Sequence, residues 1–373
     1  MIKPLSYLEI NSNNLLSNIE SFKALLPSGN KLIAVVKANA YGHGLKEIVK
    51  IVDSKVDGFQ VDDIEELAEA RKYTDKPIYV FGYVMKKNLK QAIKLKGILG
   101  IYDLGQIKLL NKIGQENSEI IPIHLKIDAL LGRQGILLDE VDNIASEIRK
   151  LSNVKVEAIY SHFSNLEDTE NIQHAEKQHA LLLEAKEKLG IKGIYHHISA
   201  SSGFLVDQKN NWGGALVRLG IGMYGLWPSE SLRNKYSETI KLTPVLRWIT
   251  HVAQIKNVPT DYPIGYGLTH ITKSPTTIAI IPQGYSDGYD RKLSNNSKVL
   301  IKGRKCPILG RVAMNMFVVD VRNVPDIAVE DEVVLLGTQG EDSITAEYLA
   351  EKAGTINYEI IARISALLEK RVK

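Results

Sequence analysis

The chain has 373 residues, a length that suggests about two domains, and its 44% hydrophobic and 24% charged residues are ordinary for a soluble globular protein. The net charge of +4 is small and basic residues are interspersed with acidic ones, which argues against a nucleic-acid stripe or a polybasic membrane patch. The single cysteine, Cys306, excludes an intrachain disulfide, and no apolar run reaches the roughly 18 residues of a spanning helix. We therefore expect a cytoplasmic protein that binds neither nucleic acid nor membrane.

Short apolar runs alternate with helical spacing through the first part of the chain. A helix over 11–26 precedes the first run, and the eight runs, each rich in Val, Ile or Tyr, cover 32–36, 58–61, 78–81, 98–102, 121–127, 154–160, 194–198 and 215–219. Strand alternating with helix predicts a parallel sheet, and eight units within roughly 220 residues fit a (β/α)₈ TIM-like barrel. A doubly wound sheet is the structural alternative, because periodicity alone does not separate the two.

The pattern changes after Pro228. From about Leu242 onward, predicted strands follow one another with little helix, over 245–256, 277–281, 298–301, 306–309, 317–321 and 332–336, and a final helix is predicted over 348–368. The sequence thus predicts a barrel domain over residues 1–241 and a smaller β-rich domain over residues 242–373.

Polar residues follow the predicted barrel strands at the end where barrel enzymes carry their chemistry. They are Lys37 after the first strand, Arg133 after the fifth, His162 after the sixth, His197, Ser199, Ser201 and Ser202 after the seventh, and Arg218 near the end of the eighth. We expect them to converge on one rim of the barrel, and that convergence is stronger evidence than any one residue.

Lys37 is the most informative of these residues. It follows four apolar residues, so its stem is expected to be buried, and burial favours the neutral, nucleophilic amine that forms a Schiff base. The alternative is a lysine that extends from a strand end into solvent. The small flanking residues and the turn over 41–44 favour the catalytic interpretation.

The segment RLGIGMYGLWP carries a G-x-G-x-x-G pattern at Gly220, Gly222 and Gly225. A dinucleotide fingerprint should open a long helix in the first βαβ unit, whereas Pro228 follows this one and seven predicted strands precede it. The pattern therefore favours a barrel phosphate site, in which glycine lets backbone N–H groups approach an anion. A tight turn between domains is the alternative.

The remaining chemistry-bearing residues give weaker indications. His174 and His179 are five residues apart, and His196 and His197 are adjacent, so neither pair predicts a metal site. Tyr285, in IPQGYSDGYDR, and Met314, in GRVAMNMF, could be an exposed phenol and a site residue, or an ordinary turn tyrosine and a core methionine.

These motifs together resemble the alanine racemases, pyridoxal-phosphate enzymes of fold type III. The resemblance is carried by AVVKANAYGHG, KID with GRQG, SHFSN, VRLGIGMYGL, IGYG, GYSDGYDR, GRVAMN and INYE, in order along nearly the whole chain. It implies pyridoxal 5'-phosphate as cofactor, interconversion of L-alanine and D-alanine for peptidoglycan, and a homodimer with shared active sites.

The resemblance also implies roles for individual residues. Lys37 would carry the cofactor and act as one base, and Tyr285 of the partner subunit would be the other base. Tyr41, Ser201, Gly220, Ile221 and Tyr358 would hold the phosphate, Arg218 would bind the pyridine nitrogen, and His162 would support Arg218. Arg133 and the backbone of Met314 would bind the substrate carboxylate. His197 would orient Tyr285, Lys126 matches a lysine that is carbamylated in some members, and Tyr266 and Tyr358 would narrow the entrance.

Two loops depart from the family pattern. The family usually has Asp-Thr-Gly-Met-Gly before the arginine, where this chain has Asp128 followed by Ala129, Leu130, Leu131 and Gly132. Around Met314, Ala313 precedes and Asn315 replaces the common acidic residue. These changes bear on the carboxylate contacts and on Lys126, and leave Lys37, Tyr285 and Arg218 intact.

Three other functions are alternatives to this one. A racemase of serine or another small amino acid would share the same residues, and sequence does not fix the size limit of the pocket. A non-catalytic cofactor-binding barrel would lack residues 242–373 with their tyrosine. A decarboxylase of the same fold would need a cysteine motif that Cys306 does not form.

Overall fold

A computed structural model describes residues 4–207, 212 and 214–373. The chain forms two compact units. The barrel unit comprises Leu16–Ala38 and Ile48–Leu242, and the sheet unit comprises the N-terminal segment up to Leu15, Asn39–Glu47 and Thr243–Lys373.

The elements are numbered in chain order. The strands are β1 Tyr7–Ile10, β2 Lys31–Val35, β3 Gly58–Val61, β4 Ile78–Val80, β5 Gly97–Ile101, β6 Ile121–Lys126, β7 Val154–Tyr160, β8 Tyr195–His197, β9 Leu216–Leu219, β10 Leu246–His251, β11 Gln254–Val258, β12 Pro263–Ile264, β13 His270–Ile271, β14 Thr276–Ile281, β15 Lys298–Ile301, β16 Arg304–Leu309, β17 Phe317–Asp320, β18 Glu332–Gln339, β19 Asp342–Ile344 and β20 Glu369–Val372. The helical segments are α1 Ser12–Lys23, α2 Lys37–Tyr41, α3 Leu45–Val52, α4 Ile64–Ala70, α5 Leu89–Lys94, α6 Leu104–Asn117, α7 Val141–Ile148, α8 Gln173–Leu189, α9 Ser201–Val206, α10 Glu230–Tyr236, α11 Ala346–Ala353 and α12 Asn357–Ala362.

The barrel unit is built on an eight-stranded parallel sheet. Its order is β8-β7-β6-β5-β4-β3-β2-β9, and the backbone bridges His197–Gly214 and Ala200–Arg218 bring β9 back toward β8. The sheet therefore closes almost completely, which confirms the predicted (β/α)₈ barrel and excludes the doubly wound alternative. All eight apolar runs became strands, with ends within two residues of those predicted.

Large aromatic side chains fill the barrel interior. Tyr79, Phe81 and Tyr160 are buried and pack with Ile33 and Leu216. Tyr160 crosses the interior to β5, where a Cβ on Gly100 would overlap the Tyr160 hydroxyl. A glycine is therefore required at this strand position for the barrel to hold so bulky a core.

Carboxylates at the helix starts fix where the barrel helices begin. Asp63 accepts a hydrogen bond from the backbone N–H of Glu66 at 2.8 Å, and Asp103 accepts one from Gln106 at 2.7 Å. Each acid satisfies an N–H that the helix itself leaves unpaired, so α4 and α6 start one residue after these caps.

The sheet unit contains a mostly antiparallel sheet in the order β11-β14-β17-β16-β15-β18-β10-β1-β20, with β19 against β18. β1 pairs antiparallel with β10 and parallel with β20, so both ends of the chain lie in this sheet. β1 was not predicted, because a four-residue strand carries too short a pattern to detect.

Two predictions for the second half of the chain were wrong. The final helix predicted over 348–368 is two helices, α11 and α12, followed by β20, because Gly354 adopts a left-handed conformation (φ +67°) that ends α11. The strand predicted over 245–256 is two strands, β10 and β11, which pair with different neighbours. In the described part of the chain, no helix is both long and apolar enough to cross a membrane.

Shortening one barrel side chain tests how far the core stabilises the fold. Ile123 on β6 is fully buried, whereas Ile120, just before the strand, is 62% exposed. We expect Ile123→Ala to lower the free energy of unfolding by about 2–5 kcal/mol, because it removes buried surface and leaves a cavity. Ile120→Ala is the matched control and should change it by less than about 0.5 kcal/mol in urea unfolding. Equal losses would contradict the burial of Ile123 in the core.

Candidate active site

Four cations gather at the strand ends of the barrel unit. Lys126 ends β6 and is buried, Arg218 lies on β9 and is buried, Lys37 follows β2 and is half-buried, and Arg133 lies on an exposed loop after β6. Burial, followed by the charges of Arg133 and Arg218, lowers the pKa of Lys126 to about 7, with smaller and opposing effects from Asp128 and Lys37. The structure thus places Lys37, Arg133 and Arg218 close enough to Lys126 for their charges to affect its pKa.

Arg218 is the best-anchored of these cations. One terminal nitrogen, Nη2, donates to the backbone carbonyls of Ser161 and Ile198, each at 2.7 Å, and the guanidinium lies against the rings of Phe81 and Tyr160 at 5.8 and 5.7 Å. Burial lowers its pKa to about 10, so it remains charged at neutral pH. Its Nε–H is buried without a hydrogen-bond partner. An unpaired buried donor costs about 1–3 kcal/mol, so the site is suited to a ligand that supplies an acceptor there.

Two predicted site histidines are neutral. Burial, followed by the charge of Arg218, holds the pKa of both His162 and His197 well below the usual range. A second cation beside Arg218 is thereby avoided, and both rings can act only as neutral hydrogen-bonding groups at physiological pH.

Ser201 and the glycine segment after β9 form a backbone-rich corner. Ser201 opens α9, and its Oγ accepts hydrogen bonds from the N–H groups of Gly220 and Gly222 at 3.1 and 3.3 Å. The chain then makes a short 3₁₀ turn over Ile221–Tyr224, not the long helix of a dinucleotide fold. The start of α9 and the start of this turn meet at one serine, which is an arrangement suited to an anion such as a phosphate.

The segment that begins at Lys37 has an unusual backbone. Ala38, Asn39, Ala40 and Tyr41 all have φ between +52° and +54°, so α2 is a left-handed helical turn made without glycine. Each such residue costs roughly 1–2 kcal/mol. Asn39 offsets part of this cost, since its carbonyl accepts from Gly44 N and its Oδ1 from Leu45 N, both at 2.9 Å. The turn fixes the backbone that carries the lysine.

The loop with the unusual sequence before Arg133 is held by Asp128. Asp128 Oδ1 accepts from the N–H groups of Leu131 and Gly132 at 2.9 and 3.1 Å. Leu130 stands where the family pattern has glycine, and it adopts a left-handed conformation (φ +60°) with its side chain half exposed. The loop therefore keeps a glycine-type backbone despite the substitution, at the expense of local strain.

The sheet unit contributes a second cluster. A Cβ on Gly284 would overlap the carbonyls of Ala313 and Met314, and Tyr285 N donates to the Ala313 carbonyl at 3.1 Å. Glycine therefore allows the two loops to touch, which places Tyr285 (43% exposed) beside Met314 (55% exposed). Asn315 donates to Ser286 Oγ at 2.8 Å, so the amide that replaces the usual acid has a local partner.

The three remaining predicted tyrosine positions also lie in the sheet unit. The rings of Tyr41 and Tyr358 lie 6.2 Å apart, so the structure brings these two together. Tyr266 is 72% exposed, on a loop whose neighbour Gly267 faces the Arg311 guanidinium.

Sequence reasoning missed three barrel residues close to Arg218: Phe81, His124 and Tyr160. Phe81 and Tyr160 stack on each other with centroids 4.3 Å apart, and His124 bonds His197. His124 could have been found, because it lies two residues before Lys126 on β6 and therefore on the same face of the strand.

The strand ends of this (β/α)₈ barrel bring together two lysines, two arginines and neutral histidines, next to the backbone corner at Ser201 that suits an anion. These features define an enzyme that holds a phosphorylated cofactor at the barrel mouth. Comparison with known proteins makes this assignment specific. The alanine racemase N-terminal domain family matches residues 10–228, and the alanine racemase C-terminal domain family matches residues 245–372. The chain belongs to the alanine racemase family.

Individual relatives and solved structures agree with this membership. The chain is 36% identical to the alanine racemase of Halothermothrix orenii, over 99% of this chain and 97% of the relative, and 34% identical to that of Methylacidiphilum infernorum, over 99% and 93%. The solved alanine racemase of Clostridium difficile 630 superposes with a TM-score of 0.92 at 33% identity, covering 100% of this chain and 97% of that one. The alanine racemase from Bacillus anthracis with bound L-Ala-P gives a TM-score of 0.92 at 29% identity, covering 100% and 96%.

The lowered pKa of Lys126 leads to a test with bicarbonate. A neutral amine adds carbon dioxide to give a carbamate anion and a proton, and an anion between Arg133 and Arg218 would offset their charge. We expect bicarbonate at pH 8 to raise the thermal-unfolding midpoint of the wild type but not of Lys126→Met. At fixed dissolved carbon dioxide the effect should fade as the pH falls below about 7, where the amine becomes protonated. Lys46→Met, at an exposed position, should respond like the wild type, and an equal response from Lys126→Met would refute carbamylation there.

Proposed function

We propose that this chain interconverts L-alanine and D-alanine with pyridoxal 5'-phosphate as cofactor. The observation that carries the proposal is the buried, unpartnered Nε–H of Arg218 within a cluster of cations at the mouth of an alanine racemase-type barrel. This donor needs an acceptor, and the nitrogen of a pyridine ring is one.

The residues of the barrel unit suit each part of the cofactor. Arg218 Nε would donate to the ring nitrogen, and the Ser201 corner with Gly220 and Ile221 would hold the phosphate. Lys37 would bond the cofactor's aldehyde carbon, and neutral His162 would support Arg218 without adding charge. Tyr41 and Tyr358 stay predicted phosphate partners on the basis of the family resemblance.

When bound, pyridoxal phosphate supplies an electron sink that acidifies the Cα–H bond of the amino acid. Arg218 limits how far that sink extends. Because the guanidinium stays charged, a second proton on the ring nitrogen would place two cations together, so the nitrogen stays an acceptor. By keeping the ring nitrogen unprotonated, Arg218 would weaken the sink and so disfavour side reactions such as transamination.

Racemisation requires proton removal from one face of Cα and proton delivery to the other. We assign Lys37 to one face and Tyr285 of a second copy to the opposite face. Arg133 would bind the substrate carboxylate and would also favour the neutral state of Lys126 nearby. The backbone of Met314, beside Tyr285, would contact the same carboxylate, while Tyr266 would narrow the approach and His197 would orient the incoming tyrosine.

An exposed apolar surface of the sheet unit supports a homodimer. Tyr285 and Met314 lie on touching loops, and Tyr266 and Leu268 (63% exposed) lie on a neighbouring loop that packs against Arg311. Large exposed apolar side chains in one area mark an interaction surface. We propose that a second copy covers it and thereby delivers Tyr285. We further propose that the enzyme works in the cytoplasm, where it supplies D-alanine for peptidoglycan.

Substitution of the two proposed bases should separate their roles. Lys37→Ala should lose both the absorbance of lysine-bound cofactor and racemisation. Tyr285→Phe should keep that absorbance and lose turnover by about 10²–10⁴-fold, because one face loses its proton donor. The activity of both variants is measured as D-alanine formed from L-alanine. Serine serves as a second substrate, and Lys46→Ala is the control variant. Retained racemisation in Lys37→Ala would refute the proposal.

Mixing these two inactive variants tests the shared site. If Lys37 and Tyr285 come from different copies, a hybrid dimer contains one intact site and one site that lacks both bases. Random exchange should then restore about one quarter of wild-type activity. Mixing either variant with the double variant is the control and should restore nothing. No recovery after subunit exchange, with exchange verified by mass, would contradict a site formed by two copies.

A further inference from the structure

A chain of hydrogen-bonded rings runs through the barrel core behind Arg218, and the function proposed above gives a role only to its first member, His197. His197 Nε2 lies 3.0 Å from His124 Nδ1, and His124 Nε2 lies 3.0 Å from the Tyr195 hydroxyl. Tyr195 in turn hydrogen-bonds Tyr79. Both histidines are completely buried, and they lie on β6 and β8, the two neighbours of β7, so the geometry of the ring chain is fixed by the sheet.

The two ends of this ring chain lie in opposite electrostatic environments. The charge of Arg218 acts on His197 and on His124, the two rings at the inner end. At the outer end the negative charge of Glu157 acts on Tyr195 and Tyr79, and that of Asp57 acts on Tyr79. A field that runs from a cation to carboxylates favours N–H and O–H bonds that point toward the carboxylates.

The protons can be arranged along the chain in two ways. In the inward arrangement Tyr195 donates to His124 and His124 donates to His197, which leaves a buried N–H at His197 Nδ1 in the field of the guanidinium. In the outward arrangement His197 Nε2–H donates to His124 Nδ1 and His124 Nε2–H donates to Tyr195. His197 Nδ1, buried and without a protein partner, is then a bare lone pair. The field of Arg218 and the two carboxylates selects the outward arrangement.

We propose that His124 is a positioning residue that, with Tyr195 as its acceptor, fixes His197 as the neutral Nε2–H tautomer and presents its Nδ1 lone pair inside the active site. The hydrogen bond made by one ring nitrogen of a histidine decides which nitrogen carries the proton. The rings of Tyr160 and Phe81, stacked on His197 at 5.1 and 5.6 Å, restrict its rotation and complete the constraint.

A fixed lone pair has a definite use in the reaction. It can accept a hydrogen bond and cannot donate one. The incoming hydroxyl of Tyr285 from a second copy would therefore donate a hydrogen bond to His197, with its oxygen lone pairs directed away from this ring. It also stabilises the cationic form of Arg218, on which the acceptor state of the cofactor ring nitrogen depends. This consequence for turnover rests on the proposed function, whereas the tautomer itself is a property of the protein alone.

The first measurement is nitrogen NMR on the cofactor-free protein with ¹⁵N-labelled histidine. The chain has nine histidines, and single His→Gln variants assign their signals. We expect His197 Nδ1 and His124 Nδ1 to be unprotonated and both Nε2 atoms to carry protons. A proton on His197 Nδ1, or a doubly protonated ring, would overturn the proposal. This readout needs no racemase activity, so its result is independent of whether the proposed function is correct.

Variants then test whether His124 acts through His197. His124→Leu removes the acceptor and should give His197 a mixture of tautomers, while His124→Asn keeps an acceptor oxygen near the same place and should restore the single tautomer. Tyr195→Phe is a second, milder disruption that preserves ring volume and should make the His124 tautomer mixed. His196→Gln, next to His197 on the same strand, is the control and should leave the nitrogen signals of His124 and His197 unchanged. An unaltered His197 tautomer in both His124→Leu and Tyr195→Phe would also overturn the proposal.

Turnover provides the final comparison. We expect His124→Leu to lower kcat by about tenfold with KM for alanine nearly unchanged, and His124→Asn to recover most of the loss. If the wild type shows the expected tautomer but His124→Leu leaves kcat unchanged, the positioning role of His124 is overturned. Absence of racemisation in the wild type would instead count against the proposed function and leave the NMR result standing.

Discussion

A buried guanidinium is the constraint on which the rest of this active site depends. Arg218 is held in the barrel wall by two carbonyls and two aromatic faces, and no carboxylate of the described residues forms an ion pair with it. Its charge must therefore be accommodated by neutral neighbours, and the surrounding residues follow this rule: His162 and His197 are neutral, and the pKa of Lys126 is lowered toward neutrality. Burial and the charge of this one cation together set the protonation of the barrel mouth.

Much of this arrangement could be predicted from sequence because strand ends and chemistry coincide in a barrel. The eight apolar runs located the strands, and the polar residue after each run located Lys37, His162 and Arg218 at one rim. His124 and Tyr160 were not predicted as site residues, because they lie within apolar runs, where the sequence indicates a core position. Their importance depends on which strands become neighbours, and that is decided only when the sheet closes.

The left-handed turn after Lys37 shows another limit of sequence patterns. Its residues are alanine, asparagine and tyrosine, none of which predicts four consecutive positive φ angles. The conformation is imposed by the contacts that Asn39 and its neighbours make with the surrounding backbone. The same holds for Leu130, whose left-handed backbone is set by the hydrogen bonds of Asp128 and not by its own preference.

The pairing of β1 with β20 has a consequence for how the protein is made. Tyr7–Ile10 leaves the ribosome long before its parallel neighbour Glu369–Val372 is synthesised. At about 5–20 residues per second, roughly 20 to 70 seconds separate the two strands. Throughout that time the barrel sequence can fold while β1 has an unsatisfied edge. The nascent chain must therefore tolerate an exposed apolar strand during synthesis, and the sheet is completed only after Glu369–Val372 has been made.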